Sequence, residues 1–168
     1  MYYQSLKTIS DYLTDKSNGA LYRDQKLLIG QLEKLDEWLI QKPEFKTIHL
    51  NPNDFARYAA IREELAFELF FAGYKANVFE MMIEVRDFED NYLGSISFEK
   101  YEEVRLQDVR QVSLKGEQIR LDPEMVSFWF KLMIQPDEYP ASKSSVKEFP
   151  PKPFTNTNVV DELLEWDD

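Results

Sequence analysis

The apolar residues change period in the middle of the chain. From Phe55 to Leu69 they recur at helical spacing, as Phe55, Tyr58, Ala59, Ile61, Leu65 and Leu69. From Phe79 to Val85 they take every second position. A helical period asks for cover along one stripe, and a period of two asks for cover over one face of a sheet. Side by side, the two patterns predict a helix packed on a sheet, and so an α+β fold.

The flanking residues extend this reading. Residues 2–15 read as a helix, Ser17-Asn18-Gly19 as a stop, and residues 21–41 as an amphipathic helix that Pro43 ends. Together they predict an N-terminal helical hairpin over 1–50, with a short strand from Phe45 to Leu50. Asn51 and Pro52 start a buried central helix, expected to run to Ala72 and stop at Gly73. Strand 79–86 turns at Glu89-Asp90-Asn91. Further strands are expected near 95–99, 103–114 and 117–121, giving an antiparallel sheet of three to five strands. Asp122-Pro123-Glu124 predicts a closing helix with Phe128 and Trp129 on its apolar side. The α+β core is therefore 51–134, centred on Leu65, Leu69, Ile83 and Phe128.

Five of the eight prolines lie between 136 and 153, so 135–168 reads as a Pro-rich linker and an extended acidic C-terminal tail. Its end, Val159 to Trp166, suits two helical turns. No apolar run approaches the roughly 18 residues that span a bilayer. The first residues lack the basic start and apolar stretch of a signal peptide. With no cysteine there is neither a disulfide nor a sulfur-bound zinc. A cytoplasmic setting without membrane contact is expected.

The net charge is −11. Residues 1–50 balance seven acids with seven bases, 51–134 are net −6, and 135–168 are net −5. No segment is basic. Nucleic-acid affinity comes largely from Lys and Arg releasing counterions, so binding to a duplex is not expected. A basic protein or a nucleic-acid-binding enzyme is the more natural partner.

Catalytic patterns are sparse. His49 is the only histidine and reads as structural; no serine sits in a Gly-x-Ser-x-Gly elbow. Glycines at 19, 30, 73, 94 and 116 are too scattered to cradle a phosphate, and no cofactor is implied. Asp87, Glu89 and Asp90 are the best metal candidates, but they lack calcium-loop spacing and read better as a solvated turn.

Two features suit binding. Between Glu80 and Glu103 there are eight acids and two bases. On a strand, one face repeats about every 6.5–7 Å, close to the phosphate repeat along one DNA strand. A face bearing Glu80, Glu84, Asp87, Glu99, Glu102 and Glu103, with Glu89 and Asp90 at its turn, would imitate a phosphate row. The bland alternative is a solvated outer face. The second feature is the tail, where Val160, Leu163 and Leu164 share one helical side and Trp166 adds an anchor. It would reach a partner or fold back over its own core.

The leading expectation is a non-enzymatic interaction protein. It would mask a basic nucleic-acid-binding surface by charge mimicry, as a small phage or mobile-element inhibitor does. The first alternative is an accessory protein of replication or recombination, with a single-strand-binding core and a partner-recruiting tail. Single-strand binding joins aromatics to a basic groove, and the composition lacks the groove. The second alternative is a carboxylate metal-dependent hydrolase.

Overall fold

The computed structural model describes residues 1–19, 22–140 and 151–166. In chain order the elements are α1 (Lys7–Thr14), α2 (Lys16–Gly19), α3 (Gln25–Gly30), α4 (Leu32–Ile40), α5 (Pro52–Ala59) and α6 (Glu63–Lys75). There follow β1 (Phe79–Arg86), β2 (Tyr92–Ser97), α7 (Phe98–Arg105), β3 (Gln111–Leu114), β4 (Glu117–Arg120), β5 (Val126–Leu132) and α8 (Thr157–Trp166). This is a mixed α+β fold. The main sheet has the order β2-β1-β5 and is antiparallel throughout, and β3-β4 form a separate hairpin.

The start of α5 follows its local code. The Asn51 side chain accepts from Asn53 N at 3.0 Å, and Pro52 occupies the first turn. The expected single helix from 51 to 72 is instead two. Ala60 takes a left-handed conformation at φ 54°, and Ile61 N bonds back to Ala56 O at 3.0 Å. That is a Schellman-type ending built without glycine. Gly73 does not stop α6, which continues to Lys75. A Cβ at Gly73 would overlap the Phe79 ring, so this glycine is a place of close packing.

α6 lies at the centre of the packing, against α1, α3 and α5 and against strand β1. Its residues Leu65–Phe67 and Leu69–Gly73 are buried. Phe67 meets Phe130 at 5.7 Å between centroids, and Phe70 meets Phe79 at 4.7 Å. Fully burying each such ring removes enough apolar surface for roughly 1.5–3 kcal/mol. Leu65, Leu69, Ile83 and Phe128 all lie in this core, as expected. One continuous buried cluster runs from Tyr3 to Leu164 and draws on all three predicted segments.

The predicted closing helix at 122–134 is a strand. Asp122 caps as expected, accepting from Glu124 N at 3.2 Å, but the turn it starts covers only Pro123–Met125. Beyond it, Val126, Phe128, Phe130 and Leu132 alternate, and Phe128 pairs with Ile83 on the central strand. The converse error occurs after β2. Ser97 Oγ accepts from Lys100 N at 3.1 Å and opens helix α7, where a strand from 103 was expected. Residues 45–50 form a short 3-10 turn and one β-bridge, not a strand, and helix 21–41 divides into α3 and α4.

The tail closes the sheet. Along the outer edge of β5, Leu50 exchanges two backbone bonds with Phe130, at 2.7 and 2.9 Å, and Phe128 N donates to Phe154 O at 2.9 Å. An open edge would offer unpaired amides to any passing strand, and these segments fill it.

Candidate interaction surface

The β1–β2 connection is an acidic turn made rigid by one of its own residues. Asp87 Oδ1 accepts from the amides of Glu89 at 2.9 Å and Asn91 at 2.8 Å, and Oδ2 accepts from Asn91 Nδ2 at 3.0 Å. Asp90 holds φ 66°, and Arg86 Nη1 donates to its carbonyl at 3.0 Å. The Asn91 amide and side chain hold the Asp87 carboxyl below its ordinary range. At the tip Phe88 is 72% exposed between carboxylates, with Glu89 and Asp90 also exposed. Tyr92, at the base, lies under Arg86 and Lys115 at 5.7 and 5.6 Å.

The outward face of the sheet carries Glu80, Met82 and Glu84 on β1, Ser95 and Ser97 on β2, and Ser127, Trp129 and Lys131 on β5. Glu80 faces Lys131 across the pair, and Glu84 lies between Ser95 and Ser127. His49 covers the middle. Its ring stacks on Trp129 with centroids 3.7 Å apart and planes within 14°. Its Nε2–H donates to Glu84 Oε1 at 2.6 Å.

The predicted phosphate-like row is therefore not assembled. Glu80 and Glu84 stand on the strand, and Asp87, Glu89 and Asp90 gather at the turn. Glu99, Glu102 and Glu103 lie on α7, because Ser97 caps a helix where the row required a strand. Glu103 there pairs with Lys100 at 3.1 Å.

The tail folds back. Val160, Leu163 and Leu164 are 0%, 3% and 0% exposed, so their apolar side covers this chain's own core and is not open to a partner. Asp161 fastens the helix from the side: Tyr101 Oη donates to Oδ1 at 3.0 Å and Arg110 Nη2 to Oδ2 at 3.3 Å. Burial pushes the Tyr101 hydroxyl up, and the neighbouring Asp161 charge adds to the effect. Upstream, Asn51 and Asn53 donate to the Lys152 carbonyl at 3.1 and 3.2 Å. The side chain of Trp166 lies outside the described residues.

Two features escaped the sequence reading. Phe88 was hidden by its charged neighbours, although an aromatic inside Asp-x-Glu-Asp was itself a signal. The His49–Trp129 pair was hidden by the mistaken helix. Alternation from Val126 to Leu132 would have placed Trp129 outward; its place beside Met82 follows only from the strand register.

A shallow recess elsewhere is lined by Tyr2, Glu33, Asp36, Glu37 and Glu138. Its buried carboxylate, Asp36, is used by the chain itself, accepting from Tyr2 N and Tyr3 N at 2.8 and 2.7 Å. Among the described residues, no three His, Asp or Glu side chains converge as metal ligands, and no helix is long and apolar enough to cross a membrane. Comparison with family models, with curated proteins and with solved structures found no match.

Proposed function

We propose that the protein is a non-enzymatic interaction protein that masks a basic surface, most naturally that of a nucleic-acid-binding protein, and that it docks through the β1–β2 turn. The observation that carries this reading is Phe88, 72% exposed at the tip of a turn already fixed by the Asp87 hydrogen bonds. An aromatic anchor costs little entropy when its loop is ordered beforehand. The surrounding Glu89 and Asp90 charges select a basic partner and speed its approach. Masking in this reading rests on a compact acidic tip with an apolar centre.

The test is capture of a partner by the full chain from the source cell, followed by surface plasmon resonance at low and high salt. Glu89→Lys combined with Asp90→Asn should slow association and flatten its salt dependence. Phe88→Ala should speed dissociation at unchanged melting temperature. An acidic partner, or wild-type kinetics for both variants, would sink the proposal. Retardation of labelled oligonucleotides at low salt would favour single-strand binding instead.

A further inference from the structure

We propose that the outward sheet face holds a site for a partner's arginine side chain, built from Trp129, His49 and Glu84. This rests on the reading of a basic partner and adds a second contact to it, away from the turn. The base of the site is fixed, since Trp129 Nε1 donates to Ser127 Oγ at 2.9 Å. His49 lies on that indole with one ring face covered, yet its side chain is 43% exposed. The stack thus ends in an imidazole open to solvent.

Glu84 supplies the second half. Its side chain is 15% exposed and uses Oε1 for His49. Among the described residues no hydrogen bond reaches Oε2. A flat π-surface therefore lies beside a carboxylate whose second oxygen is not engaged by His49. A guanidinium satisfies both, because it is planar, stacks on aromatic faces and donates from its edge. An ammonium has the charge but not the plane. A nucleobase has the plane, but its phosphates would meet Glu80 and Glu84 on a chain of net charge −11.

The alternative is that this cluster only pins residues 47–50 to the sheet. That segment is already held by backbone bonds, from Leu50 to Phe130 and from Leu132 N to Thr47 O at 2.8 Å. The edge closes without the side chains of His49 and Glu84.

The experiment is NMR titration of the full chain, following the Trp129 indole N–H and the His49 ring signals. The probes are the blocked peptide Gly-Arg-Gly, its Gly-Lys-Gly counterpart and uridine monophosphate. The arginine peptide should give saturable shifts at both residues. Binding should weaken about two- to fivefold for His49→Ala, the worth of an exposed cation–π contact. It should also weaken for the lysine peptide, which lacks the planar fork, and for Glu84→Gln, which lacks the charge. Glu84→Gln preserves shape, so it remains decisive if His49→Ala disturbs the fold. No saturable shift, equal binding of the lysine peptide, or tighter binding of the nucleotide would overturn the site. If the site fails while Phe88→Ala still weakens the captured partner, only this inference falls. If Phe88→Ala and Glu89→Lys with Asp90→Asn also leave the captured partner's kinetics unchanged, the basic-partner reading falls with it.

Discussion

Phe154 lies flat against Phe67, with ring centroids 4.3 Å apart and planes within 10°. More than eighty residues separate them in the chain, and Phe154 is among the largest fully buried side chains. The contact makes the C-terminal segment part of the core.

Phe154→Ala should therefore destabilise the fold by about 3–5 kcal/mol, the usual range for emptying an aromatic site in a core. Val160→Ala with Leu164→Ala should likewise lower stability. Urea titration checks both. A loss under about 0.5 kcal/mol, the size of an ordinary surface effect, would mean that the tail is loosely attached.

Gly73→Ala sets two effects against each other. An alanine inside a helix gains about 1 kcal/mol over glycine. Here the new methyl meets the Phe79 ring, with Ile9 also near, and overpacking costs about 1–3 kcal/mol. Net destabilisation is expected, and Gly73→Ala combined with Phe79→Leu should recover part of it. A higher melting temperature for the single variant would show that the ring yields freely.

The Asp161 contacts should act as a unit. Tyr101→Phe removes one hydrogen bond to a carboxylate and should cost about 1.5–3 kcal/mol. Asp161→Ala should cost more, because it strips a partner from both Tyr101 and Arg110. A double-mutant cycle between Tyr101 and Asp161 should give a coupling of about 0.5–3 kcal/mol. Strict additivity would mean that the two do not interact in solution.

Glu68 gives the fold a pH dependence. Burial, with Asp24 nearby, raises its carboxyl from 4.5 to about 7, against the smaller opposing pull of Arg62. Between those values the native state binds more protons than the unfolded state, so this group's contribution to stability falls as pH rises. Glu68→Gln should have little effect near pH 4.5 and should raise the melting temperature near pH 8. A difference from wild type that stays constant across this window would disprove the assignment.

How much of this was legible in advance differs from place to place. The start of α5 was readable because Asn51, Pro52 and Asn53 settle it within one turn of chain. Strand β1 was readable because its alternation has no competing helical period, and the turn at Glu89-Asp90-Asn91 falls where its polar residues put it. At 122–132 two local signals disagreed: the Asp122 cap and Pro123 favoured a helix, while the spacing of Phe128 and Phe130 favoured a strand. The open edge of β1 decided between them, since pairing there buries both rings against α6. Ala60 has no local reason to break a helix, and the break comes with α5 and α6 packing against each other and with Lys34 Nζ reaching the Ala59 carbonyl at 3.3 Å. The candidate sites divide in the same way. The acidic turn and its rigidity follow from neighbouring residues, because Asp87 bonds only two and four positions ahead. The His49–Glu84–Trp129 cluster and the burial of Val160 and Leu164 depend on pairings across 35 to 100 or more positions. Caps, turns and alternation are short-range and were carried by the sequence itself. Which face meets which is set by the apolar area that remains uncovered once those elements exist, and only the tertiary structure decides that.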